Sequence, residues 1–365
     1  MVNTSEEKLK CSGELKVYLK LVSSLNSITY WVLRVIGSPF TNSNFKLDNK
    51  DFLSLYRYAA KNRMSLLYLE ALRRYGRIDS LEEEYSKLSN RYVELVEATS
   101  RVTRVLQKAG VDYALFKTIR PYHEITADID VLIFGTDHRE VIRPMNYAGY
   151  IFLNSGPISA TFRDIEAGIS VDIYEEVGAS RIIYLDKDKL RRFIINRKLS
   201  NGEVVRSLDL SADFLAVIAH SVVKEHMYVL SEYYTTLNYL ADMKSGALSS
   251  FLSLVNECRM HLAVKTHLGT TALLHYGAHA FIPICLMKLL DELGLNNLEL
   301  SRVKQMGFHM PHKYHPLTIT KALIEKLGER KAKRSFALQA LSMLNPKFAS
   351  SVVRETLSRI SRETY

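Results

Sequence analysis

The chain has 365 residues, 47% apolar and 24% charged, with 16 Gly, 8 Pro and 3 Cys. At about 100 to 200 residues per domain this length suggests two or three domains, and the composition excludes a disordered, collagen-like or disulfide-stapled chain. The net charge of +10 is uneven: residues 297–365 hold 13 basic and 5 acidic side chains, against 36 and 34 before them.

So few Gly and Pro argue for a helix-dominated chain rather than a turn-rich sandwich or propeller. Cys11, Cys258 and Cys285 are scattered and odd in number. They form neither a disulfide framework nor a zinc knuckle, which fits a reducing compartment and predicts a cytoplasmic protein. The opening MVNTSEEKLK lacks the apolar core of a signal peptide.

Residues 13–110 read as helices, with apolar positions at three- and four-residue spacing: Leu15, Leu19, Val22, Leu25, then Phe52, Leu55, Ala59. A long helix is predicted over about Ser80 to Ala109, stopping at Gly110. The period then changes. VDYALF (111–116) and IDVLIF (129–134) read as strands, a helix follows over about Asp137 to Ala148, and Tyr150 to Leu153 is a third apolar run. Residues 161–166 and 169–175 flank Ala167-Gly168 as two strands meeting at a turn, and Asn201-Gly202 marks a second hairpin near 197–206. From Asp209 the helical period returns, with breaks near Gly246, Gly269, Gly294, Pro311 to Pro316 and Pro346. Thr266 to Met287 is free of Asp, Glu, Lys and Arg, but its Gly, His and Pro residues point to buried helices and not a membrane span. The expected class is α+β: a helical region (1–107), a small mixed β-sheet core (108–208) and a helical region with a basic tail (209–365).

The chemistry lies in Ala127-Asp128-Ile129-Asp130-Val131. Strand side chains alternate faces, so Asp128 and Asp130 point one way while Ile129 and Val131 enter the core. Two adjacent carboxylates repel unless a cation lies between them, and a hard divalent ion with oxygen ligands suits that place. In ISVDIYE, Asp172 stands alone on the polar face of an alternating strand. Pairing of that strand beside the first would bring three carboxylates together, enough for one or two Mg²⁺. Lys117 and Thr118 follow a strand just before an expected short helix, where an ammonium and helix N-terminal amides suit a phosphate. Asp186 and Asp188, in a lysine-rich segment at a helix start, read as capping and solvated charges.

In these residues the chain resembles the DNA polymerase β-type nucleotidyltransferase superfamily. It is most similar to a poorly characterised group within it whose first motif reads Leu-Lys-Gly. Leu115-Phe116-Lys117-Thr118 stands for the first motif, Asp128 and Asp130 for the second and Asp172 for the third, over about residues 100 to 245. The segment Ala219 to His226 is similar to the group's His-containing helix after the core. One departure is plain: Thr118 replaces the glycine, and none occurs between Val111 and Gly135.

The resemblance implies a transfer of a nucleoside monophosphate from an NTP to an acceptor hydroxyl, with Asp128, Asp130 and Asp172 holding Mg²⁺ or Mn²⁺ and Asp172 activating the acceptor. Lys117, with Thr118 beside it, would meet the leaving phosphates. Arg163 is a second candidate there, against a surface ion pair with Asp164 or Glu166, and His220 and Lys224, one helical turn apart, would line the nucleotide pocket. RNA, a tRNA end included, is the first expectation for the acceptor, because Lys326, Arg330, Lys331, Lys333 and Arg334 form a basic segment. A protein or small molecule would use the same chemistry. The rival expectation, motivated by the missing glycine, is a binding or regulatory module without turnover, or half of a toxin-antitoxin or defence pair.

His275 and His279 have metal-pair spacing but lack the intervening acid of a zinc protease, and read as helix packing. His309, His312 and His315 read as a basic surface loop, and Tyr228, Tyr233, Tyr234 and Tyr239 as a core seam. No dinucleotide, P-loop or serine-hydrolase motif occurs.

Overall fold

The computed structural model describes residues 27–41 and 51–364. Leu15, Leu19, Val22, Leu25 and Cys11 lie outside the described residues.

Four helices open the described chain: α1 (Ile28–Ile36), α2 (Phe52–Lys61), α3 (Ser65–Arg74) and α4 (Glu82–Lys108). The first strands are β1 (Asp112–Leu115) and β2 (Asp128–Phe134), with no helix between them. After helix α5 (His138–Tyr147) come β3 (Tyr150–Ser155), β4 (Ser159–Asp164), β5 (Ser170–Tyr174), the small hairpin β6 (Val177–Ala179) and β7 (Ile182–Leu185), then β8 (Ile194–Lys198) and β9 (Val204–Leu208). The C-terminal helices are α6 (Leu210–Ala219), α7 (Leu230–Asp242), α8 (Ser245–Glu257), α9 (His261–His279), α10 (Ile284–Leu293), α11 (Asn297–Gln305), α12 (Pro316–Lys326), α13 (Arg330–Ser342) and α14 (Pro346–Ser361). The protein is therefore α+β, a mixed sheet with helical regions on either side of it in sequence.

The sheet has seven strands in the order β3-β4-β5-β2-β1-β9-β8. β2 runs parallel to β5 and β1 parallel to β9, while the other neighbours are antiparallel. Both faces of the central strands are covered. Ile129, Val131, Ile133, Val171 and Ile173 pack against Leu95, Val102 and Leu106 of α4 and Val141 and Met145 of α5. Leu132, Phe134 and Phe116 join Phe214, Val217 and Ile218 of α6 in the core of the helical region. Asp128 and Asp130 share the second face, so the β2 carboxylates look toward the C-terminal helices.

The N-caps are sequence-local. Asp137 accepts the amide of Arg139 ahead of α5, and Asp209 that of Ala212 ahead of α6, each worth about 1 kcal/mol. Gly269 does not break the chain, contrary to expectation. It lies inside the 19-residue α9, where an added Cβ would sit 3.3 Å from Leu300, and a Cβ on Gly277 of the same helix would collide with the ring of Tyr30. These glycines provide close helix approach. The charge-free stretch Thr266 to Met287 is thus split between α9 and α10, and no described helix is long and apolar enough to cross a membrane.

Candidate active site

Register assembles the carboxylates. In the parallel pair β2–β5, Asp130 lies opposite Asp172 and Asp128 opposite Ser170. Asp128, Asp130 and Asp172 each offer an oxygen within 4.8 Å of the others. One oxygen of Asp130, Oδ1, is buried without a hydrogen-bond partner. Its other oxygen, Oδ2, lies 3.1 Å from the ammonium of Lys117, both side chains being more than nine-tenths buried. Asp172 is fixed by two hydroxyls: Thr161, opposite it on β4, donates at 2.7 Å and Tyr174 at 3.1 Å. The Asp130 charge, with burial second, pushes the Asp128 carboxyl up to about 6 against the pull of Lys117. The site therefore holds more negative charge than its own cations neutralise.

The donor set fits a hard divalent cation. It is all oxygen, carries excess negative charge and leaves a buried carboxylate oxygen unsatisfied.

Lys117 and Thr118 follow β1, but the expected short helix is absent and residues 117–127 are bends and irregular chain. No helix N-terminus stands there to offer amides. Two backbone features oppose a helix: Lys117 has φ +58, a left-handed turn that carries the backbone out of helical geometry, and Pro121 disfavours helical backbone at Arg120 before it. Thr118 turns inward. Its hydroxyl accepts the amide of Asp130 at 2.9 Å and lies 3.4 Å from the Asp130 carbonyl. It therefore stitches the loop to β2 instead of facing a ligand.

His220 and Lys224 fall in a π-helical turn, His220–Lys224, directly after α6. Such turns are frequent at functional sites. Lys224 reaches the carboxylates through Tyr174, whose hydroxyl it meets at 3.4 Å. Burial, then the neighbouring Lys117, lowers its pKa. His220 stands 3.6 Å from Glu225, and burial followed by Lys117 and Lys224 holds its pKa well below the usual imidazole value. Arg163 is exposed on β4 opposite Ser170 of β5, which in turn lies opposite Asp128 of β2. Its anticipated partners are taken: Asp164 and Glu166 both pair with Arg101. The structure thus brings Lys117, Lys224 and the three aspartates together, sets Arg163 at the edge of the same face and turns Thr118 away.

Tyr174, Thr161 and Asp213 escaped the sequence reading. The first two carried a signal, since Tyr174 is two residues from Asp172 on the same face and Thr161 lies on the strand across the turn. Asp213 was a lone acid in an apolar helix.

The other candidates resolve structurally. Asp186 caps the short turn Lys187–Leu190 and accepts Lys331 at 2.6 Å. His275 is buried between Ser38 and the Phe281 carbonyl, and the four tyrosines are core. His312 is a correction: it is fully buried and pairs with Glu299 at 2.5 Å, because residues 312–313 form a strand pair with Met227 and Tyr228 under the helices. The basic segment is corrected in part. Lys326 is buried on Glu329 and the Cys258 carbonyl, and Lys331 pairs with Glu176, Asp186 and Asp188. Lys326 ties the end of α12 to the turn after α8, and Lys331 ties α13 to the β-core; Arg330, Lys333 and Arg334 are exposed.

No family model matches the chain, and no curated protein matches it. Among solved structures it is similar to STING-associated CdnE c-di-GMP synthase from Capnocytophaga granulosa, at 13% identity and TM-score 0.30, over 79% of this chain and 98% of that one. A likeness of that size carries no argument about function, which has to come from the chain's own residues.

Proposed function

We propose that this protein is a divalent-metal-dependent nucleotidyltransferase that moves a nucleoside monophosphate from an NTP to an acceptor hydroxyl. The observation that carries the reading is the β2–β5 register. It sets Asp128, Asp130 and Asp172 on one face, with an unsatisfied buried oxygen on Asp130, beside the buried ammonium of Lys117 and the half-buried Lys224. In this reading residues 108–208 are the catalytic unit, and 1–107 and 209–365 flank it.

Asp128, Asp130 and Asp172 would hold Mg²⁺ or Mn²⁺, which supplies neutralisation of the triphosphate and of charge developing in transfer. The rest falls to the protein. Lys117 and Lys224 place fixed positive charge beside the carboxylates, where the pyrophosphate leaving group gains charge as the bond from its bridging oxygen to the α-phosphorus breaks. The acceptor oxygen forms the new bond to that phosphorus. Its proton passes to Asp172, whose two oxygens are oriented by Thr161 and Tyr174. Arg163 is placed to meet an anionic group at the rim. The acceptor we favour is RNA, bound in part through exposed Arg330, Lys333 and Arg334, with protein and small-molecule hydroxyls as its competitors.

One observation favours a second reading. Lys117 already sits on Asp130, and Thr118 stands where the resembled motif has a glycine. A chain in that state binds nucleotide without turnover.

The test is incorporation of each α-labelled NTP in Mg²⁺ or Mn²⁺, with RNA, protein and small-molecule fractions as acceptors. Label retained by one fraction and lost with Asp128→Asn plus Asp130→Asn supports the transferase. Nucleotide binding without product in any fraction selects the second reading.

A further inference from the structure

The carboxylate of Asp213 takes no part in the transfer just described. It lies on α6 within the apolar stretch LSADFLAVIA and is 3% exposed. One of its oxygens accepts the backbone N–H of Lys117 at 2.5 Å, and the other accepts the hydroxyl of Tyr239 on α7. Lys117 is the residue at which the chain turns off β1, with φ +58. That left-handed conformation is unfavourable for a residue with a long side chain, and it persists only where the surroundings over-determine it. A hydrogen bond from the amide to a buried carboxyl oxygen, made away from competing water, can hold this turn. With its amide held by the helical region, Lys117 sends its side chain over the rings of Phe116 and Tyr174 to Asp130.

We propose that Asp213, oriented by Tyr239, is a positioning residue: it clamps the Lys117 backbone in its left-handed turn and thereby aims the Lys117 ammonium at the carboxylates. Its functional meaning rests on the transferase reading, whereas the clamp itself does not. The same contact ties α6 and α7 to the first-motif loop, so a shift of these helices moves Lys117.

Lysine acetylation read by mass spectrometry tests the clamp without any assumption about activity. In the wild type the Lys117 side chain is 7% exposed and Lys326, remote in the fold, 1%. In Asp213→Asn the labelling rate of Lys117 should rise about ten-fold through local opening while Lys326 stays protected. Tyr239→Phe, which removes one hydroxyl and keeps the ring, should act in the same direction by a smaller factor, and it carries the test if Lys326 also labels in Asp213→Asn. Lys117 as protected in both variants as in wild type overturns the clamp. In the transfer assay Asp213→Asn should lower kcat more than it raises the KM for NTP, because Lys117 meets charge that develops as the leaving group departs. It should add nothing in a Lys117→Ala background, because the two residues act through one group; multiplied losses overturn the positioning role. A wild type that incorporates no label, yet shows the acetylation response, sinks the transferase reading and leaves the clamp standing.

Discussion

Replacing Asp128 by asparagine should stabilise the metal-free protein at neutral pH, the opposite of the usual outcome for a polar group at the edge of a core. The like charge of Asp130, with burial second, lifts the Asp128 carboxyl from 3.8 to about 6. At about 1.4 kcal/mol per pH unit this corresponds to roughly 3 kcal/mol, and we take about 2 kcal/mol after allowing for partial access of solvent. The sign follows from proton binding. A carboxyl whose folded pKa lies above its unfolded value binds more protons in the native state between the two, so stability is greatest below about pH 4 and declines until about pH 6. Asparagine carries no such penalty. Wild type and Asp128→Asn should therefore have similar urea midpoints near pH 4 and separate by pH 7, with the variant ahead. Excess Mg²⁺ should close the gap by stabilising the wild type alone, through binding to the native state. The single Trp, Trp31, gives the signal. A variant less stable than wild type at pH 7 in chelator, or a gap that ignores both pH and Mg²⁺, would refute the reasoning.

Three further outcomes follow from the contacts and the exposed charges. Thr118→Val keeps the shape but removes the hydroxyl that accepts the Asp130 amide; leaving that amide unpaired should cost about 1 to 3 kcal/mol, read as a lower urea midpoint. Lys331→Met should lower stability by about 1 to 3 kcal/mol, since it breaks a partly buried cluster with Glu176 and Asp186. RNA affinity should be unmoved by Lys331→Met and should fall on Arg330→Ala plus Lys333→Ala, measured by filter binding across a salt series.

The α+β class and the carboxylate triad were legible because both rest on short-range periodicity. Alternation in DIDVLIF and SVDIY states which residues share a face, and the Gly-containing turns state where strands reverse. The parallel pairing of β2 with β5 was readable only as a condition, since register across about forty intervening residues is set by packing on α4 and α5. The loop after β1 was misread because the apolar rhythm around Lys117 does not encode its left-handed turn, which depends on Asp213 nearly a hundred residues away. Charge was misread for a related reason. Composition counts Lys326 and Lys331 as surplus positive charge, while the fold sets Lys326 on nearby Glu329 and the distant Cys258 carbonyl, and Lys331 on acids from a distant segment. Buried His312 escaped similarly, its partner Glu299 lying 13 residues back on α11.

The most direct test compares the label transferred from α-labelled and γ-labelled NTP in parallel reactions with Mn²⁺. The account predicts that α-label moves to the acceptor with release of unlabelled pyrophosphate, that γ-label leaves as pyrophosphate, and that both signals vanish in Asp128→Asn plus Asp130→Asn. Transfer of the γ-label to the acceptor, or transfer of α-label that survives loss of both aspartates, would contradict it.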